Sequence, residues 1–508
     1  MELALKKETL DHYELTACLT SEQEQSTESI VQDTLPDIGR ILCCEGEVFL
    51  RNSLIREDKA ELGGNVELTT IYAAEGSGEL RHLKIILPFQ MREDCPKGSE
   101  KLHAELHLED VNCRTLNPRK LHCKWRIVAE ISCYAHREDS FCSCCCGEEE
   151  DIECLQRREN LTLLTDLSER DFTYEDTLSF SSGHGYVKDI LHICVNAQVN
   201  EAKIVGNKAA IKGVYFTDVF VCYDNGRCET LSYELPFAQL VDSSGDDSEG
   251  MAEASVALTG MDYKLLGDES GQTLALSLFT HLELKTLCKR EVPVLCDLYS
   301  TAFSTETELQ ELKLLHFAEP MTRRQIWQDS LELGSSMDSI LHLCAKASTV
   351  KLLRTEEGTE FRTQVHLQIL YSTTDGKILS AERTDEVKLL LALAEGETYN
   401  CTAKAANDLS AVITGDHIAV RVPVDFMLWR RDAHSLRYIR SARCQTEQPI
   451  SHENAPSLVL RRRESGESLW SIAKRHNTTM RDILSANGCE AENELICGKM
   501  LLIPKRRS

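Results

Sequence analysis

Tyr215-Phe216-Thr217-Asp218-Val219-Phe220-Val221-Cys222-Tyr223-Asp224-Asn225-Gly226 decides the fold class. Tyr215, Thr217, Val219, Val221 and Tyr223 fall on every second position, the period of a strand with one buried face. Asn225-Gly226 then supplies the signal of a tight hairpin turn. The pattern occurs three times. Val66, Leu68, Thr70 and Tyr72 precede Glu75-Gly76, and Val365, Leu367, Ile369 and Tyr371 precede Asp375-Gly376. Upstream of each strand lies an apolar run: Ile41-Leu42, Ile190-Leu191-His192-Ile193-Cys194 and Ile340-Leu341-His342-Leu343-Cys344, about 150 residues apart. The returning arm ends in Leu87-Pro88-Phe89 and Leu235-Pro236-Phe237, whereas the third copy has Val387-Lys388-Leu389.

A longer alternating strand follows in each copy. Leu121, Cys123, Trp125, Ile127, Ala129, Ile131 and Cys133 share one face in the first. Leu274, Leu276, Leu278, Leu282 and Leu284 do so in the second, and Ile418, Val420, Val422, Val424, Phe426 and Leu428 in the third. His122, Lys124, Arg126, Glu130, Arg421 and Asp425 occupy opposite faces, so the expectation is antiparallel sheets with one wet face, in sandwiches or barrels. The chain therefore reads as mainly β, with repeats at 35–135, 171–300 and 327–440. Residues 1–34 read as a lead-in, a helix or peripheral strand. The polar stretches 136–170, 301–326 and 441–457 read as linkers, and 242–250 as an acidic loop.

The chain of 508 residues has a formal net charge of −26, yet residues 459–508 hold ten Lys/Arg against six Asp/Glu. Solubility accounts for the acidic body, which disfavours nucleic acid; the alternative reading is that the basic end meets an acidic surface. No apolar run reaches the roughly 18 residues of a membrane span, and the first residues carry no signal-peptide pattern. The chain is thus expected to stay where it is made, with its 22 cysteines reduced. Cys194, Cys222 and Cys344 read as small hydrophobes packed in strands. Cys142, Cys144, Cys145 and Cys146 lack the paired CxxC spacing of a zinc ribbon, and adjacent cysteines fit one tetrahedral ion poorly. No metal or cofactor is expected there; later oxidative cross-linking or a tolerated surface loop is the reading.

The C-terminal stretch has a different grammar. Val459-Leu460 open a strand, and Glu464-Ser465-Gly466-Glu467-Ser468 form a turn able to cap a helix. Leu469, Ile472, Ala473 and His476 follow at helical spacing with Trp470 at the border, and Asn477 ends the pattern. Thr479 and Asp482 have capping-box spacing before Met480, Ile483 and Leu484, and Asn487-Gly488 stops this second helix. Gly498 to Ile503 form a last strand closed by Pro504.

This strand-helix-helix-strand order over 458–505, with Gly466-Glu467-Ser468-Leu469-Trp470-Ser471-Ile472-Ala473, resembles a LysM domain, a small α+β module. The resemblance implies a groove made by Gly466, Glu467, Ser468, Leu469, Ala491, Glu492, Asn493, Glu494, Leu495 and Ile496. Such modules bind N-acetylglucosamine polymers such as peptidoglycan, or proteins. Glu467-Ser468 where Asp-Thr is commoner, and Cys489 and Cys497 around the second loop, leave the ligand open.

Leu35-Pro36-Asp37-Ile38-Gly39-Arg40-Ile41-Leu42, the hairpin and Leu87-Pro88-Phe89 resemble the SPOCS domain of spore-forming Firmicutes. Together with a LysM module they resemble a family of clostridial spore-coat morphogenetic proteins. The resemblance implies a scaffold in the mother-cell cytoplasm that tethers coat material to the forespore surface. Its LysM module would engage the ATPase that polymerises as the basement layer of the coat, and its β repeats other coat proteins. The alternative is a peptidoglycan-binding cell-wall or cortex protein. No phosphate loop, HExxH helix or GxSxG elbow occurs. His192 and His342 recur at one repeat position, but the first copy has Cys43 there, so both read as structural. No residue is expected to be catalytic.

Overall fold

A computed structural model describes residues 1–146, 151–180, 185–243, 250–268, 271–318, 320–334, 336–392, 397–450, 456–464, 466–495, 498 and 500–505. The acidic loop expected at 242–250 falls mostly outside them.

Repeat 1 runs β1 (Leu5–Ile30), β2 (Ile38–Arg56), β3 (Lys59–Ala74), β4 (Leu80–Asp94), β5 (Lys101–Asn117) and β6 (Lys120–Cys145). Two antiparallel sheets, β2-β3-β4 and β1-β6-β5, face each other. The alternating residues do what their period requires: Val66, Leu68 and Tyr72 of one sheet pack on Trp125, Ile127 and Ile131 of the other. Repeat 2 has the same plan in β7 (Ile152–Ser179), β8 (Val187–Val205), β9 (Lys208–Tyr223), β10 (Cys228–Asp242), β11 (Met251–Asp268) and β12 (Gly271–Ser300). Repeat 3 runs β13 (Phe303–Phe317), β14 (Met321–Glu332), β15 (Met337–Ala347), β16 (Lys351–Thr355), β17 (Gly358–Thr373), β18 (Ile378–Leu391), β19 (Glu397–Ala405), β20 (Ser410–Thr414) and β21 (His417–Pro449). Here the opening strand is split into β13 and β14, which both pair with β21.

The expected lead-in and linkers are sheet. β1 runs the length of β6, β7 that of β12, and β13 and β14 line β21. Thus 1–34, 136–170 and 301–326 supply the opening strands, 136–170 also holds the end of β6, and β21 continues through 441–449. The polar composition that suggested loops is cross-strand charge pairing on an exposed face: Lys120 with Glu28, Lys124 with Glu24 at 2.6 Å, Arg126 with Glu22 at 3.0 Å and Arg137 with Glu14 at 2.8 Å. Leu87-Pro88-Phe89 and Leu235-Pro236-Phe237 lie inside β4 and β10, not at their ends. Both are outer strands of their sheets, where a residue without an N–H is tolerated.

The repeats close into a ring. β4 lies against β8, β10 against β15, and β18 against β2, so each repeat hands its last meander strand to the first of the next. Leu42, Leu191 and Leu341, the recurrent leucines, meet at the centre with Ile71, Phe220 and Leu370. A second junction forms where the far ends of β1 and β6, β7 and β12, and β13 and β21 converge: Leu10, Phe141, Leu161, Val294, Leu436 and Ile439 are buried together. This arrangement corrects the expected wet face. Glu130, with His103, Glu105, Lys285, Trp429 and Arg431, lines a chamber of about 120 Å³ between the three repeats.

The final module has β22 (Leu458–Arg462), α1 (Leu469–His476), α2 (Met480–Ala486) and β23 (Met500–Pro504), with β22 and β23 antiparallel.

Candidate partner-binding site

The module is fixed by its caps. Ser468 Oγ accepts from the Ser471 amide at 3.2 Å, and Asn477 ends α1 in the left-handed region at φ 50°. Thr479 Oγ1 accepts from the Asp482 amide at 3.0 Å. The Asn487 side chain donates to the Ile483 and Leu502 carbonyls and accepts from the Leu502 amide, tying the end of α2 to β23. Leu469, Ile472, Ala473, Ile483, Leu501 and Ile503 form the core.

The residues of the expected groove divide. Gly466, Ser468, Ala491, Glu492, Asn493 and Glu494 are exposed. Leu469 and Leu495 point inward. Glu467 is covered by Arg461 at 2.6 Å and Arg475 at 3.0 Å; burial opposes its charge, but these guanidiniums hold its carboxyl below the usual range. Ile496 and Cys497 lie outside the described residues. Glu492 bridges the first loop and the segment before the last strand, accepting from the Leu469 amide at 2.8 Å and from Arg463 at 2.6 Å. Arg463 also donates to the Leu495 carbonyl at 3.0 Å. The Leu469 amide beside the first loop is thereby occupied by the chain's own carboxylate.

Two features escaped the sequence reading. One face of α1 is a joint with repeat 2: Trp470 Nε1 donates to Asp297 Oδ2 at 2.8 Å, Lys474 Nζ to Asp297 Oδ1 at 2.6 Å, and the Tyr299 hydroxyl to the Thr478 carbonyl at 2.7 Å. Nothing local in the sequence pairs Asp297 with Trp470. The other feature is apolar: Leu458, Leu460 and Met500 stand exposed on the outer face of β22 and β23, beside the exposed Arg462. The alternation Leu458, Leu460, Arg462 was its signal.

In the ring, His192 and His342 are structural, as expected, but their partner was not foreseen. Glu45 lies 3.1 Å from His192 Nε2 and 2.7 Å from His342 Nε2, all three buried. Burial opposes the charge on Glu45, yet the two imidazoles hold its carboxyl well below the usual range. Burial likewise opposes the charge on His342, while Glu45 raises its pKa. Cys142, Cys144 and Cys145 belong to β6, whose register with β1 shifts between Cys142 and Cys144; Cys142 is buried, Cys144 and Cys145 are half-buried, and Cys146 follows exposed. Among the described residues, Glu105, His107 and Glu130 alone bring at least three ligand atoms within 4.8 Å of one another. Lys404 Nζ, 3.6 Å from Glu105, supplies positive charge there. Cys222, expected to be a packed thiol, is in a disulfide with Cys228 that closes the β9-β10 hairpin.

Residues 37–116 and 186–266 match the family model for the SipL, SPOCS domain, and residues 464–504 match that for the LysM domain. The chain thus carries two SPOCS domains of the SipL type and a C-terminal LysM domain, a combination that supports a sporulation protein related to the spore coat. The SPOCS matches fall on β2 to β5 and β8 to β11. No curated protein and no solved structure matches the chain. No helix among the described residues is long and apolar enough to cross a membrane.

Proposed function

We propose that this protein is a non-enzymatic scaffold of spore-coat morphogenesis. The three-repeat ring supplies a rigid body at the forespore surface, on the mother-cell side. The LysM module docks the ATPase that forms the basement layer of the coat, and the outer faces of the repeats hold other coat proteins. The observation that carries this reading is the joint between Asp297 and Trp470. It fixes the module on the ring through α1 and leaves the loops with Gly466, Ser468 and Asn493, and the apolar face with Leu460 and Met500, turned outward. Glu492 on the Leu469 amide supports a protein partner over a glycan.

Purified full-length chain, immobilised, is exposed to extract of sporulating cells and, in parallel, to purified peptidoglycan. The reading requires capture of the ATPase, abolished by Asn493→Arg. Retention of peptidoglycan that the ATPase does not displace supports instead a cell-wall or cortex protein.

A further inference from the structure

Three cysteine sulfurs meet inside repeat 1. Cys44 stands on β2, Cys113 on β5 and Cys123 on β6, with Cys113 and Cys123 directly opposite in the ladder. Cys113 Sγ is 2.7 Å from Cys44 Sγ and 2.7 Å from Cys123 Sγ. That is a short step from the about 2.05 Å of a disulfide. Thr70 Oγ1 donates to Cys44 Sγ at 3.4 Å, fixing the third sulfur. Cys44 and Cys123 are buried, and Cys113 is partly exposed.

We propose that these thiols form an oxidisable staple with Cys113 as its exchange centre, bonding either to Cys123 within one sheet or to Cys44 across the two sheets. The oxidant is a low-molecular-weight disulfide such as oxidised glutathione. The Cys113 thiolate attacks one of its sulfurs, the S–S bond breaks, and one glutathione thiolate leaves. Cys123 gives up its proton and attacks Cys113 Sγ, expelling the second glutathione. Two protein thiols have then lost two protons and two electrons, and the oxidant has become two thiols. Attack of Cys44 on Cys113 Sγ next returns Cys123 to the thiol, with no further oxidant.

The chemistry suits the positions. Hydrogen bonding with Cys123 and Cys44 pulls the Cys113 thiol down to about 4, while the same contacts and burial push the other two up. The nucleophile is also the one residue of the three that is partly exposed. The two bonds differ in consequence: Cys113 and Cys123 are 10 residues apart, Cys44 and Cys113 are 69. Closing the longer loop restrains the unfolded chain more, and only that bond ties the facing sheets together.

The test uses full-length protein, fully reduced, exposed to graded oxidised glutathione, quenched with N-ethylmaleimide and mapped by peptide mass spectrometry. Closure of Cys222–Cys228 serves as the internal control. Expected are links from Cys113 to Cys123 or Cys44, at least tenfold more abundant than any link between Cys44 and Cys123. Cys123→Ser should shift the link wholly to Cys44–Cys113, and Cys113→Ser should leave Cys44 and Cys123 alkylated. The proposal is overturned by a Cys44–Cys123 link in Cys113→Ser. It is overturned equally if wild-type Cys44, Cys113 and Cys123 are all alkylated once the control bond has closed. The wild-type map decides alone if a variant folds poorly.

Discussion

Tyr299 at the end of repeat 2 and Trp470 in the first helix of the terminal module meet edge to face, with ring centroids 4.9 Å apart. Such pairs contribute about 0.5–1.5 kcal/mol beyond the area they bury. Here the contact is bordered by the Asp297 carboxylate, which accepts from both Trp470 and Lys474. The module is therefore oriented by the ring, and the partner must approach from the faces this joint leaves free.

Asp297→Ala removes both acceptors. Hydrogen bonds to charged groups contribute about 1.5–3 kcal/mol each, so hydrogen exchange across Leu469–His476 should accelerate by about tenfold or more, with exchange in the ring unchanged. Unaltered exchange in the helix would mean that the joint does not hold the module.

Gly213 faces Phe237 across the β9-β10 ladder, as Gly64 faces Phe89. A Cβ on Gly213 would meet the Gln198 carbonyl oxygen at 2.3 Å and the Phe237 ring at 2.4 Å. Gly213→Ala should cost about 1–3 kcal/mol, seen as a lower midpoint in thermal unfolding. In the third repeat Leu389, which ends the corresponding Val387-Lys388-Leu389 run, lies opposite Phe361, so the large ring stands on the other strand and no glycine is needed there.

What the sequence disclosed and what it hid follow from this geometry. Tyr215 to Tyr223 and Ile418 to Leu428 alternate cleanly because one face meets a core and the other does not, so the sheets were legible. Leu5 to Ile30 was not: its charged residues are satisfied by Lys120, Lys124, Arg126 and Arg137 more than 90 positions away. Ring closure was hidden for the same reason, since Leu42, Leu191 and Leu341 declare a repeat but not that the copies touch. In the module the caps Ser468 and Thr479 were readable locally, whereas Glu492 on the Leu469 amide and Asp297 on Trp470 depend on tertiary approach.

The Glu45 cluster makes the ring sensitive to pH. His342 has a pKa raised above its ordinary 6.5, so its contribution is complete below that value and fades as pH climbs through the folded one. Glu45 has a pKa lowered below its ordinary 4.5, so its contribution is complete above that value and is lost as pH falls through the folded one. Asp218 and Lys346 also act on His342, with opposite signs. Wild type should therefore gain most from the cluster between about 4.5 and 6.5. Glu45→Gln should lose about 3–5 kcal/mol in that window and flatten the profile in pH-dependent thermal unfolding. A profile matching wild type would remove the cluster from the account.

Core and surface of the module should fail differently. Ile483 is fully buried, and Ile483→Asp should abolish both partner capture and the helical circular dichroism of the isolated 456–508 segment. Asn493→Arg should abolish capture with that spectrum unchanged. Loss of the spectrum in both would show that Asn493 supports the fold, not the contact.

The most direct measurement is titration calorimetry of the full-length chain against purified basement-layer ATPase and, separately, against a hexamer of N-acetylglucosamine. The account requires saturable binding to the ATPase, lost in Leu460→Asp and Asn493→Arg, and no heat from the glycan. Saturable glycan binding that survives in the presence of the ATPase, with no binding to the ATPase itself, would contradict it.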